Sequence, residues 1–296
     1  LINNYRNSGR SILSYIRVWL IDLHRSSYNS GLIKDDDAMT TVDLTRTDEI
    51  VTLTLNNPGK LNAINLGMWQ QLAENMAKIA VDRSIRCIVI RGAGQEAFAA
   101  GGDLEEFVTG RATLEQALHY HDQVAAALNA IADCPHPTVA LIQGACIGGG
   151  LEIAGVCDLR ISGESARFGA PINKLGFSMY PGEMEGLLKL AGAAVMKEIL
   201  LEGRILTATE AYEKGLVTRV VPDALSEEEA YATARRIGAG APLVAGWHKQ
   251  WIRRLQSGRP LNDEEKAASF AFLATEDYQE GLTAFLEKRK PQFKAR

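Results

Sequence analysis

The sequence predicts an α/β fold, and two observations favour this class. Short, β-rich apolar segments alternate with longer segments of helical periodicity, which is the pattern of layered strands and helices. Apolar residues make up 46% of the 296-residue chain, enough to fill a sizeable buried core. We therefore expect a globular protein in which strands and helices alternate along the chain.

The predicted elements follow one another regularly from Met39 onward. A turn built on Asn57, Pro58 and Gly59 separates the first strand from the first helix. The predicted strands occupy residues 50–55, 87–91, 138–143 and 159–162. The predicted helices occupy residues 66–80, 113–132, a segment that begins near 151, and then 226–239, 244–255 and 263–275. Residues 92–103 and 144–150 are predicted to be loops.

Charge and cysteine content exclude several classes of function. The net charge is −4 and the acidic and basic residues are interspersed, so no field suited to nucleic acid or an anionic membrane is indicated. The four cysteines lie in apolar stretches without C-x-x-C spacing or nearby histidine pairs. We predict buried, reduced thiols and no metal site.

Residues 1–38 differ from the rest of the chain in charge. They contain four arginines but a single acid before Asp35. Their apolar run at 12–23 is too short and too charged to span a bilayer. We predict an extension outside the functional fold and a cytoplasmic protein. The alternative is an organelle transit segment, which would make the protein mitochondrial.

The glycine-rich turn at 144–150, between a strand and a helix, is the most informative stretch. Glycines let the backbone approach a ligand, and the first amides of a helix lack internal partners and lie at its positive end. Such amides can bind a developing negative charge, and Glu152 lies just inside the helix, beside the same pocket. Phosphate binding and simple close packing remain alternatives, although the run matches neither the P-loop nor the G-x-G-x-x-G pattern.

A second run of small residues, at 99–102, follows the predicted strand at 87–91. Both glycine-containing loops follow a strand, so we expect them to open at the same edge of a sheet. Each loop can then supply one backbone N–H donor to a common ligand.

Several runs of residues, taken together, are typical of one family. They read AGGDL at 100–104, GGGLE at 148–152, CDL at 157–159 and FGAP at 168–171. These runs closely resemble the enoyl-CoA hydratase/isomerase family, also called the crotonase family. NP at 57–58 with KLNA at 60–63 is similar to its CoA loop, and EDYQEG at 276–281 is similar to its closing helix. The resemblance covers about residues 42–293.

The resemblance implies a crotonase-like spiral of ββα units with a helical C-terminal trimerisation region. We place the acyl-CoA-binding core at 39–225 and the helical region at 226–296, and expect a homotrimer or a dimer of trimers. The implied ligand is an acyl-CoA thioester. No separate cofactor is expected, since coenzyme A is part of the substrate.

The resemblance also implies roles for residues of this chain. The amides of Ala100 and Gly149 match the two donors that hold the thioester oxygen as an enolate forms, and Glu152 matches an acid/base. The residues implied to bind the substrate are Lys60, Ala63, Ala100, Gly101, Gly102, Asp103, Leu104 and Gly149.

One position departs from the family pattern. The hydratases of the family use a second glutamate shortly after the Phe-Gly-x-Pro run, where this chain has Ile172. Tyr180, Glu183 and Glu185 are candidate substitutes, although the two glutamates also suit the exposed first turn of a helix that runs to residue 190. His119 and His121 lie two apart in a predicted helix and face different directions, so we predict no histidine nucleophile and no histidine metal site.

Three functions remain open at this point. The first is a hydratase-like or isomerase-like enzyme in which Glu152 is the principal acid/base. The second is a catalytically silent homologue that binds acyl-CoA. The third is a CoA lyase or decarboxylase that needs only one carboxylate. The presence of Glu152 beside the glycine turn favours an enzyme.

Overall fold

Ten strands and ten α-helices make up residues 40–296, the part of the chain that the computed structural model describes. The predicted extension at 1–38 lies outside the described residues. The strands are β1 (Thr41–Thr47), β2 (Ile50–Asn56), β3 (Cys87–Gly92), β4 (Ala97–Ala100), β5 (Thr138–Ile142), β6 (Ala145–Ile147), β7 (Leu159–Gly163), β8 (Arg167–Gly169), β9 (Ile205–Thr207) and β10 (Arg219–Val221).

The strands form two sheets, and the chain alternates between them. The larger sheet has the order β1-β2-β3-β5-β7-β10, with an antiparallel β1/β2 pair and parallel pairs thereafter. The smaller sheet has the order β4-β6-β8-β9. Three successive strand pairs, β3/β4, β5/β6 and β7/β8, each place one strand in each sheet. The chain therefore advances by repeated two-strand units, as the predicted spiral requires.

The helices follow these units and then dominate the C-terminal region. They are α1 (Leu66–Ala80), α2 (Leu104–Gly110), α3 (Leu114–Asp133), α4 (Gly149–Val156), α5 (Pro181–Lys197), α6 (Ala208–Glu213), α7 (Asp223–Gly238), α8 (Pro242–Leu255), α9 (Asp263–Ala268) and α10 (Glu276–Leu286). Short 3-10 helices lie at Ile172–Leu175 and Ala271–Ala274.

The central strands of the larger sheet, β3, β5 and β7, are buried on both faces, which accounts for their continuous apolar sequences. Ile88 and Ile90 of β3 belong to the main core, together with residues of α1, α3 and the smaller sheet. Cys87 and Val89, which alternate with them, pack on the opposite face against α7. β3 thus contributes side chains to two hydrophobic layers, one on each face of the sheet.

Most of the predicted elements are confirmed. The strands predicted at 50–55, 87–91, 138–143 and 159–162 are β2, β3, β5 and β7, and the helices predicted at 66–80 and 113–132 are α1 and α3. Side-chain caps define both helix starts. Asn65 accepts a hydrogen bond from the Met68 amide, and Thr113 forms a capping box with Gln116.

The predictions for two loops and for one helix are wrong. The predicted loops at 92–103 and 144–150 contain β4 and β6, which are short and pair with each other across more than forty residues of sequence. The predicted helix at 263–275 divides into α9 and a 3-10 helix, because the Phe270 amide bonds to Ala267 and the Leu273 amide to Phe270.

The four cysteines are buried and unpaired, as predicted. Among residues 40–296, no helix is long and apolar enough to cross a membrane. In the same range, no group of three or more histidine, cysteine or acidic side chains is arranged to hold a metal ion.

Candidate active site

The two glycine loops meet where β4 and β6 end. Ala100, the last residue of β4, pairs in parallel with Ile147, the last residue of β6. Beyond this pair the backbones are in close contact, since a Cβ atom added at Gly148 would lie 3.4 Å from the Gly101 Cα atom. The predicted convergence of the two loops is therefore present in the fold.

The loops turn in a similar way. Gly101 has a φ of 101° and Gly148 a φ of 49°, a region that side chains disfavour. Each of these residues directly precedes a further glycine, Gly102 in one loop and Gly149 in the other. Gly149 is the first residue of α4, and the first bond near this helix start runs from the Glu152 amide to Gly148.

The hydrogen bonds of the loops identify which amides are available to a ligand. The Ala100 amide donates to the Leu61 carbonyl at 3.0 Å, so it is already occupied within the protein. Within residues 40–296, neither the Gly102 amide nor the Gly149 amide has an acceptor. The available amide of the first loop thus belongs to Gly102, two residues after the position implied by the resemblance.

Glu152 lies in the first turn of α4 and is 8% exposed. No hydrogen-bond partner for its carboxyl group is present among the described residues. Burial raises the pKa of this carboxyl well above its ordinary value of 4.5, the charge of Glu183 raises it further, and Arg111 only partly offsets both effects. The environment therefore favours the protonated form of Glu152, which can donate a proton, more than water would.

Glu183, in the first turn of α5, is the second carboxyl group of the site. Its side chain is 9% exposed, so the alternative of an exposed first-turn carboxylate is wrong. Glu183 Oε1 bonds to the Nδ1 atom of His121, which lies on α3. The ring of His121 also stacks on that of Tyr180 with 4.5 Å between centroids.

Arg111 completes this cluster from the loop between α2 and α3. Its guanidinium lies 3.1 Å from His121 Nε2 and 4.1 Å above the ring of Phe107. Because an arginine can only donate, Nε2 must accept, and the hydrogen of the neutral imidazole is therefore on Nδ1. Nδ1 therefore donates its hydrogen to Glu183 Oε1.

The other substitutes considered for the second glutamate do not share this position. Glu185 is exposed and forms an ion pair with Lys189 at 2.6 Å. Tyr180 is also exposed and meets the cluster through its ring. His119 is exposed and His121 is buried, as expected for residues that face different directions, and His121 bonds to Glu183. The sequence signal for the buried position of His121 was that it lies on a different helix face from His119.

Ile172 begins the 3-10 helix that follows β8 and the sequence Gly169-Ala170-Pro171. It is half-buried and packs against the main core. The chain therefore has an apolar side chain at this position and no group that can transfer a proton.

A cavity of about 370 Å³ opens beside the first glycine loop. Most of the residues implied to bind the substrate line it, namely Lys60, Ala63, Ala100, Gly102, Asp103 and Leu104. Gly101 and Gly149 do not line this cavity. The cavity therefore adjoins the loop that carries the Gly102 amide.

Lys60 has carboxylate partners at the mouth of this cavity. Its Nζ atom lies 2.7 Å from Asp103 and 2.9 Å from Glu105. Burial acts to lower the pKa of Lys60, but the hydrogen bonds and charges of the two carboxylates outweigh it and raise the pKa. Asp103 also caps α2 by accepting a bond from the Glu105 amide. The charge of Lys60 is thus largely compensated within the protein.

Known proteins resemble this chain over most of its length. The sequence model described as enoyl-CoA hydratase/isomerase matches residues 45–296. A 2,3-dehydroadipyl-CoA hydratase from Escherichia coli (strain K12) is 35% identical over 265 residues, which cover 87% of this chain and 100% of the relative.

Solved structures show the same similarity in three dimensions. An enoyl-CoA hydratase/carnitine racemase from Magnetospirillum magneticum has a TM-score of 0.85 and 49% identity, covering 88% of this chain and 97% of its own. A putative enoyl-CoA hydratase/isomerase family protein from Hyphomonas neptunium has a TM-score of 0.82 and 36% identity, covering 86% and 97%. The chain belongs to the enoyl-CoA hydratase/isomerase family, and the predicted family and fold class are confirmed.

Proposed function

We propose that this protein hydrates a 2-enoyl-CoA thioester through an oxyanion-stabilised enolate. The observation that carries the proposal is the pair of amides without acceptors, at Gly102 and Gly149, on adjoining loops beside a buried Glu152. The name of the Escherichia coli relative, a hydratase of an unsaturated CoA thioester, supports the same reaction type.

The two amides would hold the thioester oxygen as it gains negative charge. Such donors are fixed before the reaction begins, so they stabilise the enolate without reorganising. Losing one donor of this kind typically costs about 10² to 10³ in rate. This proposal replaces the Ala100 amide by the Gly102 amide, because Leu61 already occupies the former.

Glu152 would act as the principal acid/base at the carbon next to the thioester. Its raised pKa favours the protonated form, which can deliver a proton to the enolate carbon. The absence of a partner for its carboxyl among residues 40–296 leaves it free to face a substrate. A protein that only binds thioesters has no use for such a group, which favours the enzyme over the silent homologue.

The CoA portion would lie along the cavity lined by Lys60, Ala63 and Leu104. The ion pairs of Lys60 with Asp103 and Glu105 compensate its charge, so the backbone of this loop would contribute more to recognition than a free lysine charge.

The test compares the wild type with Glu152→Gln on a panel of enoyl-CoA thioesters, with products followed by mass spectrometry. We expect hydration to fall by about 10² to 10⁴, the usual contribution of a general acid or base. Glu185→Gln is the matched control, because Glu185 is exposed and paired with Lys189. Unchanged turnover in Glu152→Gln would refute its role, and thioester binding by the wild type without turnover would favour the silent homologue.

A further inference from the structure

Two helices bring a second carboxyl group to Glu152. A Cβ atom added at Gly155 of α4 would lie 2.5 Å from the Leu187 side chain of α5, so the two helices are in direct contact there. Glu152 lies three residues before Gly155, and Glu183 lies four residues before Leu187. Residues at these spacings share a helix face, so each carboxyl group is one turn away from the contact.

The burial of Glu183 requires an explanation. Buried carboxylates are costly, and a buried ion pair is often no more stabilising than apolar residues of similar size. Glu183 nevertheless has a 9% exposed side chain and pairs with His121 rather than with an arginine or a lysine. A pair that adds little to stability but lies beside Glu152 is better explained by chemistry.

The cluster also gives the two glutamates different environments. Arg111 occupies Nε2 of His121, so the imidazole can only present its Nδ1 hydrogen to Glu183. Glu183 therefore has a fixed hydrogen-bond donor, whereas Glu152 has no donor among the described residues. Two nearby carboxyl groups in different environments are the usual arrangement for an acid and a base.

We infer that Glu183 is a second catalytic residue of the hydration reaction, the base that takes a proton from the attacking water, and that His121 and Arg111 are its positioning residues. The inference rests on the proposed hydratase function and deepens it. The sequence named Glu183 as one of three candidate substitutes for the second glutamate, and its burial distinguishes it from the exposed Tyr180 and Glu185.

The proposed hydration step conserves protons and electrons. An O–H bond of water breaks and its proton goes to the Glu183 carboxylate, while the water oxygen bonds to Cβ of the enoyl group. The π-electron pair moves to the thioester oxygen at the Gly102 and Gly149 amides. The enolate then takes the Glu152 proton at Cα. Return of one proton from Glu183 to Glu152 restores the starting state.

The experiment measures two reactions in the same variants. One is hydration of crotonyl-CoA, which needs both glutamates. The other is exchange of the α-hydrogens of butyryl-CoA with D₂O, which needs the oxyanion site and Glu152 but no attacking water. We expect Glu183→Gln to lose about 10² to 10⁴ in hydration and to keep exchange. Its exchange should even be faster at neutral pH, because the charge of Glu183 raises the pKa of Glu152.

The outcomes separate the two proposals. Loss of both reactions in Glu152→Gln supports the proposed function, and retention of both refutes it. If Glu152→Gln is inactive but Glu183→Gln still hydrates, only the role of Glu183 is overturned. Loss of exchange in a folded Glu183→Gln would also overturn it. Should that variant fail to fold, Glu183→Asp keeps the charge and must show reduced hydration with exchange retained; unchanged hydration would contradict the inference.

His121→Leu tests the positioning role. Without the Nδ1 hydrogen, Glu183 loses the bond that orients it, so kcat for hydration should fall by about tenfold while KM and exchange are unchanged. His121→Asn, which can also donate an N–H, should recover part of the hydration rate. A loss of exchange as large as the loss of hydration, or no recovery in His121→Asn, would show that His121 has only a structural role.

Discussion

At the scale of single residues, the site depends on two glutamates in different environments. Glu152 is buried without a hydrogen-bond partner among residues 40–296, and Glu183 is buried against His121. Burial and the neighbouring charge raise the pKa of Glu152, which gives a neutral acid beside a charged group. Burying these two carboxyl groups close together should measurably lower the free energy of unfolding.

The pH dependence of stability tests the state of Glu152. Its folded pKa lies above the ordinary value of 4.5, so its contribution to stability is fully present below pH 4.5 and is lost as pH rises through the folded pKa. The free energy of unfolding of Glu152→Gln should therefore increase relative to that of the wild type as pH rises from 4.5 to the folded pKa, by up to about 1.4 kcal/mol per pH unit.

Denaturant titrations at several pH values measure this difference. Glu185→Gln is the control and should track the wild type, since its carboxylate is exposed. A difference between Glu152→Gln and the wild type that does not grow with pH would show that Glu152 is not held protonated by the fold.

The sequence predicts one of these glutamates well and the other poorly. Glu152 follows a glycine turn, a local pattern that directly indicates an acid beside free amides. Glu183 and His121 are 62 positions apart, and only the packing of α3 against α5 buries them together. The available amide could not be predicted either, because the bond from Ala100 to Leu61 joins two separate loops.

At the scale of elements, the start of α4 is held against β4. A Cβ atom added at Gly150 would lie 2.5 Å from the Ala99 carbonyl oxygen and 2.9 Å from the Ala99 Cβ atom. Only a glycine permits this approach, which fixes the distance between the loops that carry the Gly102 and Gly149 amides. The sequence indicated the helix start but not β4, since short strands are recognisable only with their partners.

Gly150→Ala should therefore disturb the oxyanion site. The added methyl group meets backbone atoms that cannot turn aside, so we expect destabilisation by about 1 to 3 kcal/mol. Displacement of the Gly149 amide should reduce hydration by about 10². Thermal unfolding and steady-state kinetics measure the two effects.

Gly67→Ala is the matched control for this substitution. Gly67 lies in α1, and an added Cβ atom would meet its nearest neighbour, Asn65 Oδ1, at an ordinary 3.5 Å. We expect nearly wild-type kinetics from this variant. Wild-type kinetics from Gly150→Ala as well would show that the spacing of α4 and β4 is not needed for turnover.

At the scale of the whole molecule, the C-terminal region exposes large apolar side chains. Such surfaces commonly mark sites of association between proteins. The exposed side chains of the last 3-10 helix, its flanking residue and α10 are Phe270, Leu273, Leu282, Phe285 and Leu286. We predict that this region joins copies of the chain, in keeping with the trimer or dimer of trimers that the family resemblance implies.

Phe285→Asp should weaken this association. The side chain is 82% exposed, so the substitution leaves the packing of a single chain nearly unchanged while placing a charge in the expected interface. Light scattering should show a shift from a multiple of three chains to smaller species. Val81→Asp, at an 81% exposed position after α1, should leave the assembly intact. A wild type that is monomeric at all concentrations would contradict the prediction.

A structure of the protein with a bound saturated acyl-CoA thioester is the most direct test of the proposed function. We predict that the thioester oxygen lies within about 2.7–3.2 Å of both the Gly102 and the Gly149 nitrogen atoms, with Glu152 and Glu183 flanking the acyl carbons. A thioester oxygen bound at the Ala100 amide, or placed away from these two amides, would contradict the proposal.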